Sequence, residues 1–437
     1  MRGKKFIIPV LIFIFTFVIY SLNLYSDFHS GDYRRLLPAG DAVPNTFLPY
    51  ILLKDKTFVF DEQVQHLRRF ENWVTDPVFL IKRNGHYYSA YPPLTGILTV
   101  PFYFFPVVTE KIPNLGNLYY LMKVLFLGRI TASIFASLSV VFVYLALRNI
   151  INTAKNLVTD KTAVLFALFY AFGTNTFSIS SRGLWQHTIT ELLISILIYL
   201  LIKMSFFKSS IKFSRNLSYV IGFITGFAVL ARPTSIILAI VLMLYFYVYK
   251  RKYFLGFIVG ALPCVLFFLI YNYAVFGSPF MEGYGARGDF NWSTPLHVGL
   301  LGFLFSPARS FLFVSPPLVL SYYGIVKAFK DSKFGGKFNM VLKFLSVGFV
   351  LSVLLFSKWY TWHGGSGFGY RMLTDFLPIV ILLAFLVFKN VSRIIKGIVI
   401  VLMIYSCYVQ FNAVTNLYSR CGSNHNWGFY CLIPPKI

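Results

Sequence analysis

The sequence predicts an all-α polytopic membrane protein: a bundle of about 11 transmembrane helices plus one re-entrant or juxtamembrane segment. Three observations predict it. The 437 residues are 57% hydrophobic and only 13% charged, whereas soluble domains carry about 25% charged residues. The mean hydropathy is +0.68. The apolar residues fall into long runs, at 6–25, 92–109, 121–147, 162–178, 186–204, 217–231, 234–249, 253–276, 311–328, 340–357, 374–389 and 393–411. Most of these approach the roughly 20 residues that a helix needs to cross a bilayer.

The first run follows Arg2, Lys4 and Lys5, as in a signal peptide. It is long enough to span and no small-x-small cleavage site follows, so it reads as a retained span. The formal net charge of +25 would suggest an anionic partner in a soluble protein. Here the positive-inside rule explains it first. With no zinc-ligand spacing and no basic-aromatic motif, nucleic acid is rejected as a partner.

Charge also orients the chain. The N-terminus and the connectors 148–161, 203–215, 250–252, 327–343 and 389–396 together hold 21 basic and 2 acidic residues. Placed in the cytoplasm, they leave 19 basic and 13 acidic residues for the other side and its span ends. This arrangement requires that 92–109 not cross. That segment contains Pro92, Pro93, Pro101 and Pro106, and proline removes donors and kinks helices. The expected result is a multi-pass protein of the inner or plasma membrane, with the N-terminus cytoplasmic and the C-terminus outside. It reads as a single transmembrane domain, 1–437. Its 26–91 outer loop carries juxtamembrane helices, one of them around 61–73, and 412–437 forms an outer tail. Cys264 and Cys407 read as apolar filler. Cys421 and Cys431 lie in the tail, where a disulfide is chemically allowed and two free thiols are equally consistent.

The outer connectors 26–91, 277–310, 358–373 and 412–437 gather the residue types that do chemistry. Nine of the 15 acidic residues lie between Asp27 and Glu110. Asp41 precedes the apolar stretch Phe47–Leu53, which would hold it near lipid headgroups. A carboxylate there is able to act as general base toward an acceptor hydroxyl. Arg129, Arg182, Arg232, Arg309 and Arg371 fall at the outer ends of spans. Charge at membrane depth is costly and points to function, and a guanidinium fork fits phosphate. Snorkelling, or pairing with Glu191, Asp289 or Asp375, is the structural alternative. Two aromatic-histidine clusters follow: Arg182–His187, with Trp185, and Lys358–Arg371, with Trp359, Trp362, His363 and Tyr370. The second has four glycines within six residues, which permit unusual backbone angles. Its tryptophans suit a sugar ring, and His187 and His363 suit phosphate or sugar oxygens. No Rossmann unit frames these glycines. Asp41 with Glu282 or Asp289 offers oxygen ligands, but nothing in the spacing demands a metal, and no cofactor is expected.

Gly40-Asp41 with Pro44 and Leu48-Pro49, Tyr91-Pro92-Pro93-Leu94, Arg129, Ser306-Pro307-Ala308-Arg309 and Trp362–Arg371 together resemble motifs of the GT-C superfamily of membrane glycosyltransferases. The closer likeness is to bacterial relatives of dolichyl-phosphate-mannose protein mannosyltransferases and of the aminoarabinose transferases that modify lipid A. The resemblance implies a polyprenyl-phosphate-linked sugar donor, a lipid, glycan or protein acceptor at the extracytoplasmic face, inversion at the anomeric carbon and no nucleotide. By position it makes Asp41 the catalytic base. Arg309 and Arg371, with Arg129 and Arg232, become candidates for the donor phosphate. Arg182, Trp185, His187, Trp359, Trp362, His363 and Tyr370 become candidates for sugar or carrier contacts. Two departures stand out: Ala42 replaces the family's adjacent second acid, and Tyr91 stands where a basic residue is usual. A transporter or flippase of a lipid-linked sugar is the rival reading, although no repeat of broken helices supports it. A non-catalytic scaffold leaves the crowding of outer polar residues unexplained.

Overall fold

A computed structural model of the chain describes residues 4–37, 39–71, 77–153, 160–206, 211–288, 291–330, 336–365, 367–388, 390–417 and 426–427. Among them, eight helices are long and apolar enough to cross a membrane: Ile7–His29, Leu118–Ile151, Gln186–Phe206, Phe213–Ala231, Arg251–Phe276, Phe338–Lys358, Arg371–Phe388 and Arg393–Thr415. Shorter apolar helices, Leu94–Val108, Pro233–Tyr249 and Leu296–Phe305, fill the bundle. The predicted all-α polytopic architecture is therefore the one observed. Cys421, Cys431 and Asp289 lie outside the described residues.

Leu377–Phe388 is buried on every side, as expected of a helix apolar all round. It lies at the centre of the bundle, against the helices Gln186–Phe206 and Leu320–Lys330. Several helices are broken near one end. A 3-10 turn Arg371–Phe376 leads into Leu377–Phe388, Pro233–Ser235 leads into Ile236–Tyr249, and Thr176–Ser180 forms a π turn after Asp160–Phe172. The segment from Phe311 to Lys330 is split into Phe311–Val314, Pro316–Val319 and Leu320–Lys330.

The proline-rich run 92–109 contains a continuous helix, Leu94–Val108, with Pro101 and Pro106 inside it. Fifteen residues rise only about 22 Å, less than the ~30 Å hydrocarbon core. This helix packs on Val43–Lys54 through Gly96, where a Cβ would sit 2.8 Å from Leu48. Asp61–Glu71 forms the amphipathic helix expected near 61–73. A two-stranded hairpin, Leu80–Arg83 with His86–Ser89, packs at the same end of the chain's fold as this helix. Its turn is Asn84-Gly85 with φ of +50° and +86°, the pairing that type I′ hairpins require.

Helix Arg251–Phe276 runs about 39 Å from the basic triplet Lys250–Lys252 to Gly277, which abuts Arg83 of the hairpin. The hairpin layer and the lysine-rich connector are thus at opposite ends of the bundle. Along this helix Gly256, Gly260 and Cys264 face Ser218, Gly222 and Gly226. A Cβ on Gly260 would stand 2.1 Å from the Tyr219 carbonyl oxygen, and one on Gly222 2.0 Å from that of Phe257. Small residues every fourth position let two membrane helices touch backbone to backbone. Gly260→Leu should lower stability by about 1–3 kcal/mol through overpacking, read as a lower thermal midpoint in detergent. Gly397→Leu, whose Cβ meets nothing within 4 Å, should leave the midpoint unchanged.

Candidate active site

Asp41 sits on the 3-10 turn Gly40–Ala42, which leads directly into the helix Val43–Lys54. A side chain at position 40 would place its Cβ 2.6 Å from the Phe79 ring, so glycine sets how closely this turn meets the hairpin layer. Both Asp41 oxygens are engaged. Oδ1 accepts from the Tyr91 hydroxyl at 2.8 Å, and Oδ2 pairs with the Arg371 guanidinium. The carboxylate keeps 31% side-chain exposure while Arg371 keeps 13%, so the pair stands at the mouth of the bundle. Burial alone would push the Asp41 carboxyl up. The Arg371 charge and the hydrogen bonds from Arg371 and Tyr91 outweigh it and hold the group below its ordinary value.

Arg371 is fixed from three sides. It donates to the Gly364 carbonyl at 3.1 Å, pairs with Asp41, and lies 4.3 Å from the centroid of the Trp185 ring. Trp185 is 1% exposed and forms the floor beneath the guanidinium. The glycine-rich stretch winds around a second arginine. Arg309 donates to the carbonyls of Gly365, Gly367 and Gly369, and its Nε donates to Asn426 Oδ1 at 3.0 Å. Gly364, Gly365 and Gly369 have φ of +78°, +63° and +60°, the left-handed region that side chains disfavour. His363 Nδ1 accepts from the Gly365 amide at 3.1 Å. Burial, together with the Arg309 charge, holds the His363 pKa below 6.5. With Nδ1 accepting from an amide, Nε2 is the position left to carry a proton on the neutral ring.

A second charged cluster lies beside the first. Asp375 receives His187 Nδ1 at 2.8 Å and pairs with Arg232, whose guanidinium also lies 4.7 Å from the Phe356 ring centroid. Asp375 is 1% exposed and Arg232 is 6% exposed. Arg232, singled out in the sequence for the donor phosphate, is thus committed to a buried carboxylate.

The other sequence candidates divide between wall and frame. Trp359 stands in an aromatic wall with Trp292 at 4.7 Å and Tyr284 at 6.2 Å, and Tyr284 approaches Tyr91 at 5.5 Å. Arg182 faces Asp27 at 3.8 Å. Arg129, 1% exposed, donates to the Ser181 carbonyl at 2.6 Å and braces one helix against the next. Trp362 packs on Phe303 and Gly302, and Tyr370 bonds Ser315 Oγ at 2.7 Å against Phe311. These two rings support the loop from behind instead of lining the mouth.

Sequence reasoning did not single out Tyr284, Trp292 or Gln186, which bonds Tyr284 at 2.9 Å. Their only signal was residence in or beside an outer connector. Glu282, next to Tyr284, shares a cavity wall with Tyr91, and burial pushes its carboxyl up to about 7. Among the described residues no group of three His, Cys, Asp or Glu side chains converges on a metal-sized position.

No protein-family model matches the chain, and no curated protein matches it in sequence. Among solved structures it is similar to ArnT from Cupriavidus metallidurans bound to undecaprenyl phosphate, with a TM-score of 0.56 and 14% identity over 94% of this chain and 66% of that one. The chain thus spans about two thirds of the length of that protein. At this identity the likeness is one of fold alone: the two chains share a helical membrane architecture.

Removing one member of the Asp375–Arg232 pair strands a buried charge, which costs about 3–5 kcal/mol. Arg232→Met should therefore unfold at a markedly lower temperature. Arg232→Met combined with Asp375→Leu should recover most of the loss. A loss in the double variant equal to the sum of the losses in Arg232→Met and Asp375→Leu alone would show that the two charges are not coupled.

Proposed function

We propose that the protein is an inverting glycosyltransferase that moves a sugar from a polyprenyl-phosphate donor to an acceptor hydroxyl at the extracytoplasmic face of the membrane. One observation carries the reading. Asp41 and Arg371, 330 positions apart in sequence, meet as an ion pair at the mouth of the bundle. A proton acceptor and a phosphate-binding cation thereby stand side by side. The fold shared with a protein solved with undecaprenyl phosphate supports a lipid-phosphate donor. The charge asymmetry of the connectors supports an outward-facing mouth and a cytoplasmic N-terminus.

In the proposed reaction the acceptor oxygen attacks the anomeric carbon from the face opposite the phosphate. Its proton passes to an Asp41 oxygen. The bond between anomeric carbon and phosphate oxygen breaks, and its electron pair leaves with the polyprenyl phosphate. A single displacement of this kind inverts the anomeric centre. Arg371 neutralises the departing phosphate, and the positive field of Arg309 behind the loop adds to it. Trp359, Tyr284 and Tyr91 form the aromatic wall for the sugar, and the His363 Nε2 proton is a donor to its oxygens. Arg182, Trp185 and His187 complete the floor around the carrier end. The acceptor is a lipid, glycan or protein hydroxyl.

The resting ion pair has a consequence for the order of events. A carboxylate held by Arg371 is a weak base. The incoming donor phosphate competes for the same guanidinium, loosens the pair and returns basicity to Asp41. Donor binding thus arms the base.

Asp41→Asn should insert normally and retain undecaprenyl phosphate, yet lose about 10²–10⁴-fold in transfer. Transfer from a defined polyprenyl-phosphate sugar at the wild-type rate would remove Asp41 from the mechanism. Translocation of the lipid-linked sugar in vesicles without a new glycosidic bond would favour a flippase.

The pH profile offers an independent check. A lowered carboxyl pKa keeps the ionised form down to low pH and loses it only as pH falls through that lowered value. The acid limb of kcat/KM, which reports the free enzyme, should therefore lie below the ordinary carboxylate range. The acid limb of kcat, which reports the donor-bound state, should lie at higher pH. Coincident limbs would mean that the donor leaves the Asp41–Arg371 pair intact.

A further inference from the structure

We infer that a groove at the lysine-rich end of the bundle, opposite the Asp41 mouth, is a binding site for an anionic phospholipid. The groove, about 270 Å³ in volume, lies between the helices Pro233–Tyr249, Leu320–Lys330 and Gly336–Lys358. Its walls include Val241, Leu244, Phe329, Phe344 and Val347, and among the described residues the one charged side chain lining it is Lys343. Leu244, Phe329 and Val347 are 46%, 50% and 38% exposed. The groove therefore opens sideways toward the hydrocarbon region.

Lys343 lies five residues into the span that begins at Phe338, about 7.5 Å along the helix axis. A bare ammonium at that depth is costly. Among the described residues its recorded contact is with the Phe329 ring, 5.9 Å from the centroid, and no carboxylate lines the groove. The lysine stem can follow the apolar wall and carry the ammonium toward the headgroup plane. The surrounding charge has the same sign. Lys250, Arg251 and Lys252 follow the Tyr249 that lines the groove, and Lys327 and Lys330 sit in the last turn of the helix that carries Phe329. An apolar slot for a chain, with excess positive charge at its mouth, complements a lipid that joins an acyl chain to a phosphate. A zwitterionic lipid satisfies the slot but adds no net negative charge at the mouth. Free phosphate satisfies the charge but leaves the slot exposed.

The inference concerns the end of the bundle away from the proposed reaction, and it stands independently of that reading. The test uses the purified full-length chain in neutral detergent, with bound lipid counted by native mass spectrometry. The probes are phosphatidylglycerol, phosphatidylcholine with the same acyl chains, and glycerol phosphate. The wild type should retain phosphatidylglycerol in preference to phosphatidylcholine, and glycerol phosphate should not displace it. Lys343→Gln should reduce that preference about fivefold, the effect of one lysine at a membrane surface. Lys343→Arg should preserve the preference and so separates loss of charge from loss of fold. Val347→Trp, which fills the slot, should reduce retention of both lipids. Equal retention of the two lipids by the wild type would overturn the site. So would an unchanged preference in Lys343→Gln, displacement by glycerol phosphate, or a groove closed by a second copy of the chain in the lipid-free protein.

Discussion

A guanidinium brought inside an apolar bundle must meet oxygen, and the organisation of the Asp41 end of this protein follows from that demand. Arg371 meets the Asp41 carboxylate and the Gly364 carbonyl, Arg309 meets three glycine carbonyls, Arg232 meets Asp375, and Arg129 meets Ser181. Low dielectric makes each partnership strong and its absence expensive. Segments far apart in the chain are thereby drawn to one place: the Gly40–Ala42 turn, the loop after Gly336–Lys358 and the starts of several broken helices. The breaks serve the same end. A 3-10 or π turn frees carbonyls and redirects side chains, and in a membrane such backbone is tolerated only where protein covers it.

The arginines do not share one task. Arg371, at the edge of the mouth, keeps an exchangeable partner in Asp41. Arg309, Arg232 and Arg129 hold carbonyls or a buried carboxylate, and their charge reaches the mouth as field instead of contact. In the proposed reaction the donor phosphate exchanges with Asp41 at one of these cations and leaves the others in place. This is the arrangement that electrostatic stabilisation of a leaving group favours, because the fixed charges need no reorganisation during the reaction.

Much of the architecture was legible in the sequence because the bilayer imposes a simple rule on length and polarity. The apolar runs, the amphipathic helix near Asp61 and the gathering of reactive residue types in the outer connectors all follow from it. Other features needed three dimensions. Pro101 and Pro106 suggested a broken segment, yet the helix Leu94–Val108 continues through them. Neighbouring helices can offset the donors that prolines remove. Trp362 and Trp359 look alike in sequence, but Gly302 leaves a hollow that Trp362 fills, and only Trp359 reaches the wall. Which arginine would be committed to a carboxylate was undecidable without knowing that Asp375 and His187 face Arg232. The Leu80–Ser89 hairpin carried an Asn-Gly signal that the surrounding apolar pattern concealed.

The winding of the glycine loop about Arg309 has a thermodynamic corollary. Glycines surrender more backbone freedom on ordering than any other residue, so Gly364–Gly369 would not hold its shape through its own turns. One planar fork satisfies carbonyls at three positions of that loop together. Unwinding any part of the loop strands several of these acceptors at once, which makes partial ordering unfavourable. The rim of the mouth therefore forms in an all-or-none manner, governed by a single side chain that lies behind it.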